Sequence, residues 1–208
     1  DRPLVTSPGC PPYDRSKAAG EREVRRAVEE GLDAVIVNPT GIIGPYDYRP
    51  SFFGGVLLAL GRGRLPALVE SGFDWVDVRD VVEGAIRAEE TAPAGGRYVL
   101  AGHWASNREV AALVEEITGS RAPGVYFPLG LARVGAVAAE AWGRLTGRRS
   151  VFTTVSLEAL SGNRYVSHAR ATRELGYQPR SLRQTLVDTL LWFRQAGHLP
   201  VACSGLPE

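Results

Sequence analysis

The chain has 208 residues, and its 24 basic and 23 acidic side chains leave a formal net charge of +1. That balance provides no strong field to attract nucleic acid or an anionic membrane, and a hydrophobic content of 44% is typical of a soluble globular protein. No run of 18 apolar residues occurs, so we predict no membrane span and expect a cytoplasmic protein, with Cys10 and Cys203 as unlinked thiols. Lys17 is the one lysine among the basic residues.

The first part of the chain alternates helix and strand signals. A helix rich in Ala, Glu and Arg is predicted over Tyr13–Glu30 and ends at Gly31. The apolar run Asp33–Val37 predicts a strand buried on both faces of a parallel sheet. The segment Asn38–Pro50 is predicted to be a loop at the carboxyl end of that strand, where open α/β sheets bind ligands. A short helix is predicted over Phe52–Leu60.

The rest of the chain adds two strand signals and is rich in helices. Strands are predicted over Trp75–Val78 and Arg97–Leu100, and Asp80 is the expected N-cap of the helix between them. Capping boxes at Ser106–Glu109 and Ser181–Gln184 predict two helix starts. The predicted helices are Ser106–Ile117, Leu131–Leu145, one that ends at Leu175, and one from Ser181 to about Ala196.

This order of elements predicts an α/β fold that becomes rich in helices toward the C-terminus. A complete doubly wound sheet is built from two βαβαβ halves. The strand candidates are too few for two halves, so we expect a partial Rossmann-type parallel sheet that contains part of the second half.

Tyr13 and Lys17 form the sharpest local pattern in the sequence. They are four residues apart, so both project from one face of the predicted helix. An ammonium close to a phenol stabilises the phenolate, and a proton can then move between the tyrosine and a substrate hydroxyl or carbonyl. A lysine also suits a hydrogen bond to a ribose hydroxyl. The same spacing is common on surface helices, so at this point a purely structural pair is the alternative.

Five segments together resemble the extended short-chain dehydrogenase/reductases, also called the NAD-dependent epimerase/dehydratase family. The similarity covers nearly the whole chain, and its detail is most similar to the dihydroflavonol-reductase-like branch, which includes hopanoid-associated sugar epimerases. The segments are Pro12–Lys17, Val37–Pro45, Trp75–Val82, Gly96–Leu100 and Arg173–Pro179.

The resemblance implies an enzyme that uses NAD or NADP and transfers hydride at a secondary alcohol or ketone carbon. Tyr13 would be the catalytic acid/base, and Lys17 would stabilise its phenolate and bind the nicotinamide ribose. Pro39, Thr40 and Ile42 would line the nicotinamide end of the cofactor site.

The resemblance also implies substrate and partner sites. Asn38 is a candidate for substrate contact, although a strand-ending turn is the alternative, and Phe52 is a candidate wall of the substrate pocket or else part of a helix core. The expected partner is a small-molecule substrate, and the helix Tyr13–Glu30 is the expected contact of a homodimer. A non-catalytic member of the family and a nucleotide-sugar epimerase/dehydratase are the alternative functions.

Two departures from the family pattern bear on these expectations. The glycine-rich phosphate loop and the catalytic Ser or Thr upstream of Tyr13 are absent from the 208 residues. We therefore expect the C-terminal part of such an enzyme, with residues 1–64 from the dinucleotide-binding domain and residues 65–208 mainly from the substrate-binding lobe.

The second departure is Phe73, which stands where nucleotide-sugar epimerases carry an arginine for the diphosphate. An aromatic ring cannot pair with phosphate as a guanidinium does, so Phe73 favours an apolar or unactivated substrate. Arg62, Arg64 and Arg79 are the nearby basic residues that could compensate. No metal site is expected, because the three histidines, His103, His168 and His198, show no ligand spacing.

Overall fold

The computed structural model describes residues 11–132 and 165–200. The helices named here, in chain order, are α1 (Pro12–Glu29), α2 (Phe52–Gly61), α3 (Val78–Thr91), α4 (Asn107–Thr118), α5 (Ala169–Leu175) and α6 (Leu182–Gln195). The strands are β1 (Ile36–Pro39), β2 (Gly41–Ile43), β3 (Ala67–Glu70), β4 (Gly72–Asp77), β5 (Arg97–Leu100), β6 (His103–Ser106) and β7 (Val125–Pro128). Among the described helices, none combines the length and the apolar character that a bilayer crossing requires.

The helices begin and end where the local sequence signals place them. Pro12 occupies the first turn of α1, where its missing N–H costs nothing, and Gly31 follows the helix with a φ of 105°. Ser106 and Glu109 form the predicted capping box at α4, which ends at Gly119 in the left-handed region. Ser181 accepts a hydrogen bond from the backbone N–H of Gln184 at α6. The predicted helices over these segments are confirmed.

One predicted cap is wrong. Asp77, the last residue of β4, is the N-cap of α3, and its side chain accepts a hydrogen bond from the backbone N–H of Arg79. Helical geometry starts at Val78, so Asp80 lies inside the first turn and is buried. Its carboxylate forms an ion pair with Arg180, whose backbone N–H also donates to it.

The strands form three small sheets. β1 pairs with β5 in parallel, β3 pairs with β7 in parallel, and β4 lies between β2, to which it is parallel, and β6, to which it is antiparallel. The predicted strand at Arg97–Leu100 is confirmed, whereas the strand predicted at Asp33–Val37 begins at Ile36 and continues to Pro39. The predicted loop Asn38–Pro50 therefore contains the end of β1 and all of β2, since the strand ladder continues past the apolar run.

The β1–β5 sheet and the three-stranded sheet of β2, β4 and β6 meet at a fork. The chain passes from β1 to β2 through the single residue Thr40, and from β5 to β6 through Ala101 and Gly102. β1 and β5 are paired up to Pro39 and Leu100. Beyond that point the two chains separate and β4 runs between their continuations, β2 and β6. We call this arrangement the strand fork.

Two hydrophobic clusters support the sheets. The larger one joins β4, α2, α4 and α6 around side chains such as Trp75, Leu57, Val114 and Phe193. The smaller one packs β1 and β5 against α3 and α5, with Tyr98 and Leu100 fully buried. Trp192 also lies in the larger cluster. Most of the predicted helix Leu131–Leu145, with Cys10, Trp142 and Cys203, lies outside the described residues.

Candidate active site

Tyr13 and Lys17 occupy the first two turns of α1. The Lys17 ammonium lies 5.5 Å from the centre of the Tyr13 ring, which confirms that the two side chains share a helix face. Tyr13 is 63% exposed, and Lys17 is exposed as well. A phenol and an ammonium held side by side and open to solvent can both reach a ligand that docks against α1.

An open groove of about 920 Å³ runs between α1 and β1. Tyr13 and Lys17 line its helical side, and Asn38 lines its strand side. The structure thus brings both candidate catalytic residues and one candidate substrate residue to a single groove. Pro39, Thr40, Ile42 and Phe52 do not line this groove.

Asn38 supplies an unsatisfied hydrogen-bond donor at the groove. Among the described residues, three buried side-chain polar atoms lack a hydrogen bond: Glu21 Oε1, Arg97 Nε and Asn38 Nδ2. The first two lie 2.9 Å apart in an ion pair, so each has an electrostatic partner. Asn38 Nδ2 has none, and leaving a buried donor unpaired costs about 1–3 kcal/mol. A ligand with a hydrogen-bond acceptor would remove that cost.

An ion-pair network fixes the angle of α1 against the sheet. Glu21 is nearly buried and pairs with Arg97 at the start of β5 and with Arg25 one turn further along α1. Near the end of the helix, the Val28 side chain packs close to Gly95. Because α1 is held at these points, its first turns lie beside the carboxyl half of β1, where Asn38 is located.

The other predicted cofactor residues lie just beyond the groove. Pro39 is exposed at the end of β1, and Thr40 follows it at the strand fork. The Thr40 hydroxyl donates to Asp74 Oδ1 at 2.7 Å. Ile42 is 37% exposed and lines a separate cavity of about 280 Å³ between β2 and the start of α2. Pro39, Thr40 and Ile42 therefore follow one another along β1 and β2, and they do not surround a single cavity.

Phe52 lies at the start of α2 and is 50% exposed. Its ring contacts Phe53 edge to face, and Phe53 in turn packs edge to face on both Phe73 and Trp75, with ring centres 4.9 Å apart in each case. We call Phe53, Phe73 and Trp75 the aromatic cluster. Gly41 in β2 touches this cluster, since a Cβ there would lie 3.7 Å from Phe73 and 3.8 Å from Phe53.

Two of the three basic residues that could replace an arginine at position 73 are bound elsewhere. Arg79 donates to Asp77 and to Asp188, and these hydrogen bonds, chiefly the one with Asp77, raise its pKa further. Arg62 donates to the backbone carbonyl of His198. Arg64 is exposed.

The three histidines have separate surroundings. His168 makes a hydrogen bond with Thr172 and packs on the ring of Tyr177, whereas His198 packs on Phe193. His103 is exposed at the start of β6. Within residues 11–132 and 165–200, no three His, Cys, Asp or Glu side chains are grouped so as to hold a metal ion.

Asp74 makes a contact with two other segments that the sequence did not predict. It is 8% exposed within β4, and its Oδ1 accepts hydrogen bonds from the Thr40 hydroxyl and from the backbone N–H of Gly102. One aspartate among apolar residues carries no spacing signal, so its role became visible only when the three segments were brought together.

Residues 4–101 match a known protein family. The model of the NAD dependent epimerase/dehydratase family matches residues 4–101. Sterol demethylase protein B of Methylococcus capsulatus is 34% identical over 187 residues, which are 89% of this chain and 57% of that protein. A putative dihydroflavonol 4-reductase of Synechocystis is 32% identical over 191 residues, covering 90% of this chain and 56% of the relative. The chain thus spans about half the length of these curated relatives.

Solved structures show the same fold. The crystal structure of gox2253 matches with a TM-score of 0.76 and 34% identity, over 90% of this chain and 57% of the solved one. PA4631, a nucleoside-diphosphate-sugar epimerase from Pseudomonas aeruginosa, also matches with a TM-score of 0.76, at 26% identity, over 94% of this chain and 59% of the solved one. The α/β fold therefore agrees with that of solved epimerases.

Proposed function

Because the chain belongs to the NAD-dependent epimerase/dehydratase family, the extended short-chain dehydrogenase/reductases, we propose that it provides the catalytic residues of an NAD(P)-dependent oxidoreductase or epimerase. The reaction is hydride transfer at a secondary alcohol or ketone carbon. The observation that carries the proposal is the groove in which Tyr13 and Lys17 face the unpaired Asn38 donor.

The residues of the groove suit the nicotinamide ribose end of the cofactor. Lys17 offers three N–H donors and Asn38 offers a buried one, and ribose hydroxyls and a carboxamide oxygen accept such bonds. Solved proteins of this fold hold NADPH or NAD. When bound, the cofactor supplies or accepts the hydride.

The proton is the part of the reaction that these side chains handle. Tyr13 Oη gives its proton to the oxygen of a ketone during reduction, or takes the hydroxyl proton during oxidation. Lys17, 5.5 Å from the ring centre, stabilises the phenolate that forms when the proton leaves. Both side chains are exposed to the groove, so a substrate can reach them without a rearrangement of α1.

We also propose an apolar substrate without a diphosphate. Phe73 is part of the aromatic cluster, and Arg62 and Arg79 are occupied by His198 and by two aspartates. The names of the two curated relatives refer to a sterol and to a dihydroflavonol, which are both ring compounds. Phe52 and the neighbouring aromatic cluster offer such a substrate an apolar surface.

The test of the catalytic role uses the encoded protein, meaning this chain with whatever its gene places before Asp1 or after Glu208. Tyr13→Phe removes the proton and keeps the ring, so we expect kcat for an accepted ketone to fall by roughly 10²- to 10⁴-fold. Steady-state kinetics measures the loss, and NADH and NADPH are both assayed.

Tyr48→Phe is the matched control, because Tyr48 is also an exposed tyrosine, at 76%, and it lies outside the groove. We expect its kcat to equal that of the unaltered protein. If Tyr13→Phe turns over at the unaltered rate, Tyr13 is not the acid/base, and the non-catalytic alternative is the better account.

A panel of substrates distinguishes an enzyme that acts on apolar ketones from a nucleotide-sugar epimerase/dehydratase. We expect turnover of polycyclic or aromatic ketones and none of UDP- or dTDP-sugars. Phe73→Arg would restore the phosphate-binding group of the sugar enzymes at that position. If the unaltered protein turns over nucleotide sugars faster than apolar ketones, the proposed substrate class is wrong.

A further inference from the structure

A second cavity lies apart from the groove between α1 and β1. Its volume is about 280 Å³, and it is bordered by β2, by the loop of residues 44–51 and by the start of α2. It shares no lining residue with the groove, whose lining lies within residues 13–38 and at Arg97. We call it the loop cavity, and its lining includes four apolar side chains: Ile42, Pro45, Leu57 and Val78.

The loop cavity lies at the carboxyl ends of two parallel strands. Ile43 and Asp77 are the last residues of β2 and β4, and they are in register with each other. Gly44 and Val78, the next residues along each chain, both line the cavity. In open α/β sheets ligands bind outside the carboxyl ends of the strands, because the chain leaves the sheet there and opens a crevice. The pair β2–β4 thus provides a crevice that is separate from the groove beside β1.

A constrained turn directs Asp47 toward the start of α2. Tyr46 has a φ of 70°, in the left-handed region that residues other than glycine seldom adopt. Its ring packs edge to face on Trp192, with 6.2 Å between the ring centres, and this contact supports the turn. The Asp47 carboxylate accepts from the backbone N–H of Ser51 at 2.8 Å. Backbone strain of this kind persists where the surrounding structure fixes it, and it is concentrated at ligand sites.

Two polar side chains of the loop cavity have unused hydrogen-bonding capacity. Asp47 Oδ2 accepts from the Ser51 N–H, whereas Asp47 Oδ1 receives no hydrogen bond from the described residues. Ser51 Oγ accepts from the backbone N–H of Gly54 at 3.1 Å, and the Ser51 hydroxyl donates its proton to none of the described residues. The cavity therefore offers one acceptor and one donor beside apolar walls. A hydroxyl group matches both, because it donates and accepts at once.

We propose that the loop cavity binds a small apolar alcohol. The hydroxyl of this ligand donates to Asp47 and accepts from Ser51, and its carbon skeleton contacts the apolar lining. A cavity of about 280 Å³ is at the small end of the range for ligand sites, so it suits a single ring or a branched chain and is too small for a polycyclic molecule. The proposal goes beyond the oxidoreductase function and does not depend on Tyr13.

NMR titration of the encoded protein with two ring compounds tests the proposal. Cyclohexanol fits the size and carries a hydroxyl, whereas fluorocyclohexane has nearly the same size and no hydrogen-bond donor. We expect cyclohexanol to bind with a Kd of about 1 mM or tighter. Fluorocyclohexane should bind at least about tenfold more weakly, because it leaves Asp47 Oδ1 without a donor.

Variants of the lining locate the bound alcohol. Ile42→Trp fills the cavity from a position that is already 37% exposed, so we expect the Kd of cyclohexanol to rise at least about tenfold while the protein stays folded. Ile86→Trp is the matched control, because Ile86 is 51% exposed on α3 and does not line the cavity, and its Kd should be unaltered. Asp47→Ala should raise the Kd of cyclohexanol to that of fluorocyclohexane.

Three results overturn the proposal: cyclohexanol does not bind, Ile42→Trp binds it with the Kd of the unaltered protein, or the two compounds bind equally well. A fourth is a Tyr13→Phe protein that loses cyclohexanol binding, since the alcohol would then lie in the groove. If Asp47→Ala does not fold, the ratio of the two Kd values and the Ile42→Trp result decide. Turnover in Tyr13→Phe tests the oxidoreductase function separately, so either proposal can fail while the other holds.

Discussion

At the scale of single residues, lysine and arginine are not equivalent in this chain. Arginine supplies nearly all the positive charge, and it does so in ion pairs such as those of Arg79 and Arg97. A planar guanidinium suits those paired sites. Lys17 forms no hydrogen bond or ion pair with the described residues, and its ammonium lies beside Tyr13. The proposed function gives this lysine a role, because a compact ammonium beside Tyr13 would stabilise the phenolate.

We expect Lys17→Arg to lower kcat of the encoded protein by at least about tenfold, because a broad guanidinium cannot take the place of a compact ammonium beside the phenol. Steady-state kinetics measures the change, and thermal unfolding should be unaltered since Lys17 is exposed. Arg15→Lys, at an exposed position of the same helix that does not line the groove, is the control and should keep full activity. A fully active Lys17→Arg protein would contradict the proposed role.

At the scale of elements, charged side chains hold α3 against its neighbours. Asp77 has a fully buried side chain and pairs with Arg79, which also bridges to Asp188 on α6. Burial by itself raises the pKa of Asp77, but the hydrogen bonds from the Arg79 side chain and backbone and from Thr185 outweigh it, so the pKa is lowered overall. Burial raises the pKa of the nearby Asp80 despite its hydrogen bond and ion pair with Arg180.

The lowered pKa of Asp77 has a definite consequence for stability. A carboxyl group with a lowered pKa in the folded state stabilises it fully above the unfolded value, near pH ~3.9, and that contribution is lost as pH falls through the folded value. We expect Asp77→Asn to lower the free energy of unfolding by about 1–3 kcal/mol at neutral pH, and by progressively less at pH values below ~3.9. Urea unfolding of both proteins across this range measures the difference.

Asp188→Asn is the control for this prediction, because it removes the other carboxylate that Arg79 contacts. The Asp188 side chain is 29% exposed, so solvent screens the pair and the loss should be at most about 1 kcal/mol. The charge of Asp77 contributes to the raised pKa of Asp80, so the titration of Asp80 also differs between Asp77→Asn and the unaltered protein. A difference between Asp77→Asn and the unaltered protein that stays constant down to the lowest pH would show that the charge of Asp77 is not what stabilises α3.

At the scale of the whole molecule, an open groove runs between α1 and β1 in the part of the chain that the structure describes. Its volume of about 920 Å³ is lined on one side by helix and on the other by strand, and Asn38 has an unpaired donor there. The family's glycine-rich phosphate loop does not occur among the 208 residues. Under the proposed function, Tyr13, Lys17 and Asn38 would contact the nicotinamide ribose, whereas no glycine-rich loop for the diphosphate lies within these 208 residues.

We expect the 208-residue chain alone to bind NADH and NADPH at least about 100-fold more weakly than the encoded protein, because a helix N-terminus with a glycine loop supplies most of the contacts to a diphosphate. Calorimetric titration of both proteins measures the ratio. Circular dichroism of the short chain is needed beside it, so that weak binding is not confused with unfolding. Equal affinity of the two proteins would contradict the expectation. The homodimer contact through Tyr13–Glu30 stays a prediction, and sedimentation of the encoded protein tests it.

The sequence by itself determined those features of the structure that depend on residues close together along the chain. Helix bounds followed from prolines, glycines and capping residues such as Ser106, because these act within one turn. The spacing of Tyr13 and Lys17 was enough to place both on one face of α1, because helical geometry fixes which residues align.

Only the tertiary structure decided what depends on contacts between distant segments. The strand β2 has only three residues, too few for a local sequence pattern to predict it, and it forms because it pairs with β4. Asp74 Oδ1 accepts hydrogen bonds from Thr40 and Gly102 only because the fold brings these two distant segments to the same oxygen. Asn38 is a candidate from the sequence, but only the tertiary fold placed it in one groove with Tyr13 and Lys17 and left its amide Nδ2 without a hydrogen bond to the described residues. Such contacts leave no periodic trace in the sequence, because their energy comes from atoms that are close only after folding.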